Sequence, residues 1–244
     1  MWEIIKSGGP IMWPLLACSV LALAFIIERL IVLYKIPKER EAQEELERVE
    51  RILAEQGEEA AATYCSKRRG PLNYIFSALM KRFDRLMIER RELRDTRQQI
   101  VELAKSAGAG EMGEFMVVQK ELSDIKDELI FEVEEAGRAY LGRNLTVLGT
   151  IGVISPLLGL LGTIVGMIVA FRAIAIAGTG DPKVVAGGIS QALVTTATGL
   201  TIAIPTIVAH RFLARKAETS LERLEVYGHA FVNSLIMSAF KVEV

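Results

Sequence analysis

Side chains that hydrogen-bond but cannot titrate sit in two stretches of chain that carry no charge. Residues 145–171 and 184–209 are apolar runs with glycine, serine and threonine but no Asp, Glu, Lys, Arg or His. Thr163 lies in the first run; Gln191, Thr195, Thr196 and Thr198 lie in the second. At ~100° per helical residue, Gly152, Ser155, Gly159, Gly162 and Gly166 form one stripe with Thr163 at its edge. Gln191, Thr195 and Thr198 share a face with Pro205, and Thr196 points ~140° away from Gln191. One polar face can bond neighbouring helices while the other lines a lumen, or each Thr hydroxyl can bond its own backbone one turn back. Small residues permit close helix approach, so the stripe, with Pro156 and Pro205 counted among the packing positions, is expected to let several copies surround a narrow centre. A proton relay needs an ionisable group at membrane depth, which neither run has, so proton conduction would require a partner to supply it.

Both runs exceed the ~20 residues that cross a bilayer. Residues 11–27 are also uncharged, and the stretch continues through Glu28 and Arg29 to Tyr34 as a third span. A cleaved signal peptide is disfavoured: only Lys6 precedes the apolar stretch, and no Ala-x-Ala-like site follows. Basic residues set the orientation. Lys35, Lys38 and Arg40 follow the first span, Arg138 and Arg143 precede the second, and Arg211, Arg215 and Lys216 follow the third. The N-terminus and residues 178–183 are therefore expected outside, in the periplasm, and residues 35–144 and the C-terminal tail in the cytoplasm. Cys18 and Cys65 offer no disulfide framework.

Of the 59 Asp, Glu, Lys and Arg residues, 43 lie in 35–144, which makes that segment the water-soluble part. Residues 39–56 read as a charged helix ending near Gly57, and Pro71 suits a first helical turn. Leu72, Ile75, Phe76, Leu79, Met80, Phe83 and Leu86 then recur at helical spacing. After a break at Ala107-Gly108-Ala109-Gly110, residues 111–143 place Phe115, Val118, Leu122, Ile125, Leu129, Val133 and Ala136 on one face, in a helix expected to enter the membrane as one rod. The fold class is an all-α membrane protein with three transmembrane helices, the second and third extended into a cytoplasmic helical bundle. Its parts are an N-terminal segment and first span (1–34), a cytoplasmic helical domain (35–144), a second span (145–177), a periplasmic turn (178–183), a third span (184–212) and a cytoplasmic C-terminal helix (213–244). Mixed-sign blocks such as Lys81-Arg82-Phe83-Asp84-Arg85 suit a salt-bridged surface rather than a nucleic-acid patch. No zinc spacing, phosphate loop or nucleophile motif is present, His210 and His229 are isolated, and no enzyme, metal or cofactor is expected.

The segment 155–167, Ser-Pro-Leu-Leu-Gly-Leu-Leu-Gly-Thr-Ile-Val-Gly-Met, with Phe171 after it, resembles the second-span signature of the MotA/TolQ/ExbB proton-channel family. Gly187-Gly188-Ile189-Ser190-Gln191-Ala192-Leu193, continuing through Thr196, Thr198, Gly199-Leu200 and Ala203-Ile204-Pro205, is similar to its third-span signature. The three-span layout with a large internal loop resembles the ExbB/TolQ branch, and the four-span flagellar branch fits less well. The resemblance implies an inner-membrane motor subunit: a homo-pentamer around single-span ExbD/TolR-like partners carrying a membrane aspartate, energising a TonB/TolA-like periplasm-spanning protein. Thr163 and Thr196 match the two threonines that the family places around the ion path. Gln191 stands where better-known members have glutamate, so a relay role for that carboxylate does not transfer. A TolQ-type envelope or gliding-motility motor and a non-conducting membrane scaffold are the alternatives, and a solute carrier fits less well because no broken helix pair surrounds a charged midplane site.

Overall fold

The structure, a computed structural model, describes residues 8–92, 110–177 and 182–241. Its elements are α1 (Met12–Tyr34), α2 (Glu39–Gln56), α3 (Glu58–Lys67), α4 (Pro71–Glu92), α5 (Gly110–Gly142), α6 (Leu145–Ala177) and α7 (Pro182–Lys241). No strand occurs among the described residues. Among the described residues three helices are long and apolar enough to cross a membrane: α1, residues Leu145–Ile176 of α6 and residues Val185–Ala239 of α7. The Ala-Gly break expected near 107–110 and residues 178–181 of the turn expected at 178–183 lie outside the described residues, while Gly110 begins α5 and Pro182 and Lys183 are already helical in α7.

The chain divides into two compact units, Met1–Tyr34 with Gly142–Ala217, and Lys35–Leu141 with Glu218–Val244. The first contains α1, α6 and the N-terminal part of α7, and buries Leu15, Leu148, Ser155 and Thr195 completely. The second is the charged unit, and its core is of ordinary water-soluble kind. Every residue of the periodic set Leu72, Ile75, Phe76, Leu79, Met80, Phe83 and Leu86 is buried along α4. Against them stand Leu129 and Val133 of α5 and Leu224, Phe231 and Leu235 of α7, with the Phe76 and Phe231 rings 4.5 Å apart and tilted. Gly57 turns α2 into α3 at φ 86°, a conformation glycine adopts without strain, and its N–H donates to the Leu53 carbonyl. Glu58 and Glu59 open α3 and Lys67 closes it, each matched to the helix dipole. Burial pushes the Cys65 thiol up to about 12, with Glu45 adding to the shift.

Two expectations need correction. Phe115 is 62% exposed, although Ile125, Leu129, Val133 and Ala136 farther along the same face are buried. Only the C-terminal half of α5 is covered by other described helices, and the periodic pattern does not end where the cover does. Nor does α5 enter the membrane as an unbroken rod. It stops at Gly142, and α6 begins at Leu145 after Asn144, which takes φ 62°. Asn tolerates this left-handed conformation better than most residues. Its Nδ2 donates to Glu28 Oε2 of α1 at 2.7 Å, and Glu28 Oε1 accepts from Arg29, itself 3% exposed, at 3.1 Å. The break is thus fixed by a partner 116 positions away in sequence.

Candidate functional site

The two polar runs fold as an antiparallel pair, α6 against the first part of α7, in which small residues of each helix meet the backbone of the other. A Cβ built on Gly159 would stand 3.1 Å from the Thr195 carbonyl oxygen and 3.1 Å from Thr196 Cα. One on Gly199 would lie 2.6 Å from the Ser155 carbonyl oxygen, and one on Gly166 2.9 Å from that of Gly188. Gly162 is filled by the Thr195 side chain, and Gly152 faces Ile207 Cγ1 at 2.7 Å. The row Gly152, Ser155, Gly159, Gly162, Gly166 is therefore covered within one chain, by α7. The stripe thus has a packing role within the chain, against a matching stripe on α7.

That second stripe was missed when the sequence was read for polar faces. Gly188, Ala192, Thr195, Gly199, Ala203 and Thr206 are all buried and recur every three or four residues. The small-residue spacing was the available signal.

The hydroxyls divide by what they bond. Thr195 is completely buried and donates to the Ala192 carbonyl at 2.8 Å and to that of Gln191 at 3.3 Å. Ser155, equally buried, donates to Ile151 at 2.7 Å. Thr198 donates to Val194 at 2.8 Å and Thr163 to Leu160 at 2.6 Å, each within its own helix. Thr196 differs from these: its Oγ1 donates across the pair to the Gly159 carbonyl at 3.0 Å. Thr163, Thr196, Thr198 and Gln191 are half-buried. Gln191 is brought against Gly9, whose φ of 71° forms an elbow just before α1, and a Cβ built on neighbouring Gly8 would stand 3.3 Å from Thr195 Cγ2. The face carrying Gln191 and Thr195 is thus packed by the chain's own elbow and by Gly162. Pro156 lies half-buried inside α6, and Pro205 lies exposed inside α7, where its missing N–H leaves the Thr201 carbonyl without its usual helical donor. The His210 ring packs over Gly149 at 3.1 Å from the Cβ position. Among the described residues no group of three His, Cys, Asp or Glu side chains is placed to hold a metal ion.

This geometry is that of a membrane helix pair lined by glycine and threonine, with no titratable group in 145–171 or 184–209, and residues 89–226, which contain it, match the family described as the MotA/TolQ/ExbB proton channel family. The chain belongs to the MotA/TolQ/ExbB family. The match runs from the end of α4 through both polar spans, leaving α1 to α3 outside it. Among individual proteins, the chain is similar to the biopolymer transport protein ExbB of Helicobacter pylori strain J99, 41% identical over 86 residues, 35% of this chain and 59% of that one. It is also similar to the biopolymer transport protein exbB1 of Vibrio cholerae, 47% identical over 83 residues, covering 33% of this chain and 36% of that protein. ExbB of Salmonella typhimurium is 47% identical over 77 residues, 32% of either chain. The chain spans less than two thirds of the length of each of these curated relatives. Within the family these similarities point to the ExbB/TolQ branch.

Proposed function

We propose that copies of this chain form an inner-membrane cage around a single-span partner of the ExbD/TolR type, and that ion flow between cage and partner drives work on a TonB/TolA-like protein across the periplasm. The supporting observation is a deficit: a member of a proton channel family whose two polar spans, 145–171 and 184–209, contain no residue able to carry a proton. The carrier then belongs to a partner, and an aspartate in a lone span meets the need. In this reading the N-terminus is periplasmic, residues 35–144 and the C-terminus are cytoplasmic, and the pentameric count follows the family resemblance.

Thr163, Thr196, Gln191, Thr195 and Thr198 were the sequence's candidates for the ion path. Full burial of Thr195 between Gly162 and the N-terminal elbow argues for packing at that position. Thr163 and Thr196, half-buried at the rim of the zipper, keep acceptor capacity for water or for a protonated carboxyl group. The test is the chain co-expressed with its native partner. Ion-driven activity should collapse with a protonophore or with Na⁺ removal, and should fall when Thr163 and Thr196 are both replaced by Val; unchanged activity at normal assembly levels would sink their role. Gln191 packed on Gly9 favours one second reading, a non-conducting scaffold, which predicts no ion flux through the reconstituted complex under either condition.

A further inference from the structure

The residues that lead into α1 lie on the polar face of α7. They form a turn in which the Met12 N–H donates to the Gly9 carbonyl at 3.2 Å and the Trp13 N–H to that of Pro10 at 3.3 Å. Gly9 takes φ 71°, and a Cβ there would run into Gln191 Nε2 and stand 3.1 Å from Gln191 Cδ. The Gln191 carboxamide thus fills the space that a side chain at position 9 would need. Gly8 is buried, and a Cβ on it would lie 2.6 Å from Met12 Sδ and 3.3 Å from Thr195 Cγ2. Met12 and Leu15, which open α1, are themselves 3% and 0% exposed. Glycine is required twice at position 9, once for its backbone conformation and once for the room that the amide takes.

These contacts close the Gln191–Thr195 face from two sides. Gly162 of α6 covers one flank of the Thr195 side chain and Gly8 the other. Thr195 is 0% exposed, and its hydroxyl is satisfied inside its own helix by the Ala192 carbonyl at 2.8 Å. The two covers differ in kind. Gly162 belongs to the middle of a 33-residue helix, whereas Gly8 and Gly9 are a two-glycine elbow with Pro10 on its α1 side. Proline fixes its own φ while glycine has the widest backbone freedom, so movement of the elbow concentrates in Gly8 and Gly9 and leaves α1 in place.

We propose that the Gly8–Gly9 elbow is a plug built into the chain, seated on Gln191, and that water or an ion reaches the α7 face carrying Gln191 and Thr195 only when the elbow lifts. Gln191 acts in it as a positioning residue, through the length of its side chain. The consequence for ion access rests on the function proposed above; the fit of the plug does not. The test is thiol labelling of the full-length chain in detergent, with the two native cysteines, Cys18 and Cys65, replaced by alanine and Thr195→Cys as the reporter. Gly9→Ala, which sets a methyl group against the amide, and Gln191→Ala, which empties the seat, should each raise the rate of reaction with a small water-soluble thiosulfonate roughly tenfold by favouring local opening. Combining them should bring the rate back toward that of the parent, because the methyl group fills the room left by the shortened side chain. A parent reporter that already reacts as fast as a free thiol, or single variants that leave the rate unchanged, overturns the plug. So does a double variant more reactive than either single one, which marks a general loosening of the fold. Labelling requires no ion flux: a working motor with unchanged labelling overturns the plug alone, and the expected labelling in a complex that conducts nothing overturns the motor and leaves the plug standing.

Discussion

The two units are held together by opposite means. In the spanning unit α6 meets α7 through glycines, Ser155 and Thr195, with close contacts to carbonyl oxygens and Cα atoms. In the charged unit Phe76, Phe83, Phe231, Ile75, Leu79 and Leu235 fill the core with large side chains. The solvent explains the contrast. Water drives apolar side chains together at ~25 cal/mol per Å² buried, whereas lipid tails are as apolar as leucine, so membrane helices gain mainly from close fit and from hydrogen bonds. Size therefore stabilises one unit, and its absence stabilises the other.

The sharpest way to break that contrast is to add bulk to the zipper. Gly159→Leu or Gly199→Leu drives a side chain into backbone that cannot yield, and is expected to abolish the α6–α7 pairing within each chain, seen as loss of folded monomer in a detergent melt. Folded monomer with only the oligomer lost would return the stripe to an interface between copies. The opposite change belongs to the charged unit: Phe76→Ala should cost ~3–5 kcal/mol there by leaving a cavity, measured by denaturation of the full chain. Asn144 probes the joint between α5 and α6. Asn144→Ala loses both the Glu28 bond and a residue tolerant of φ 62°, for ~1–3 kcal/mol, and Asn144→Gly should recover the conformational part. Thr196→Val removes the one cross-helix hydroxyl bond described in the zipper and should cost ~0.6–1.7 kcal/mol, more than Thr163→Val, whose bond stays within its own helix. Cys65 reads the burial of the charged unit's core through chemistry. With its pKa pushed up to about 12 by burial, the thiol should resist maleimide at pH 8 until the charged unit unfolds. A raised thiol pKa contributes stability that is present below the ordinary value of 9.0 and lost as pH rises toward about 12, so Cys65→Ala should flatten that part of the stability profile.

These residues also mark how far the sequence could be read. Charge-free runs and the 72–86 periodicity identified the spans and the α4 core because composition and spacing are local properties. The break at Asn144 was hidden, since its cause is Glu28 in another helix. The same holds for the threonines. Thr195 and Thr196 are adjacent and alike in type, yet one is sealed against Gly162 and the other reaches Gly159, a distinction set by the neighbouring helix. The contact of Gln191 with Gly9 was equally hidden, because Gly9 lies in a stretch with no pattern of its own.

The chain crosses between its units at three points, Tyr34–Lys35, Leu141–Gly142 and, within α7, Ala217–Glu218, and the last two differ in how the helix runs. Every residue of α7 from Pro182 to Lys241 is helical, Pro205 included, so that crossing is made without a break in the helix. Arg143 and Asn144 interrupt the other connection with two non-helical residues. One crossing is thus made by unbroken helix, and the other by a helix that stops and starts again across Arg143 and Asn144.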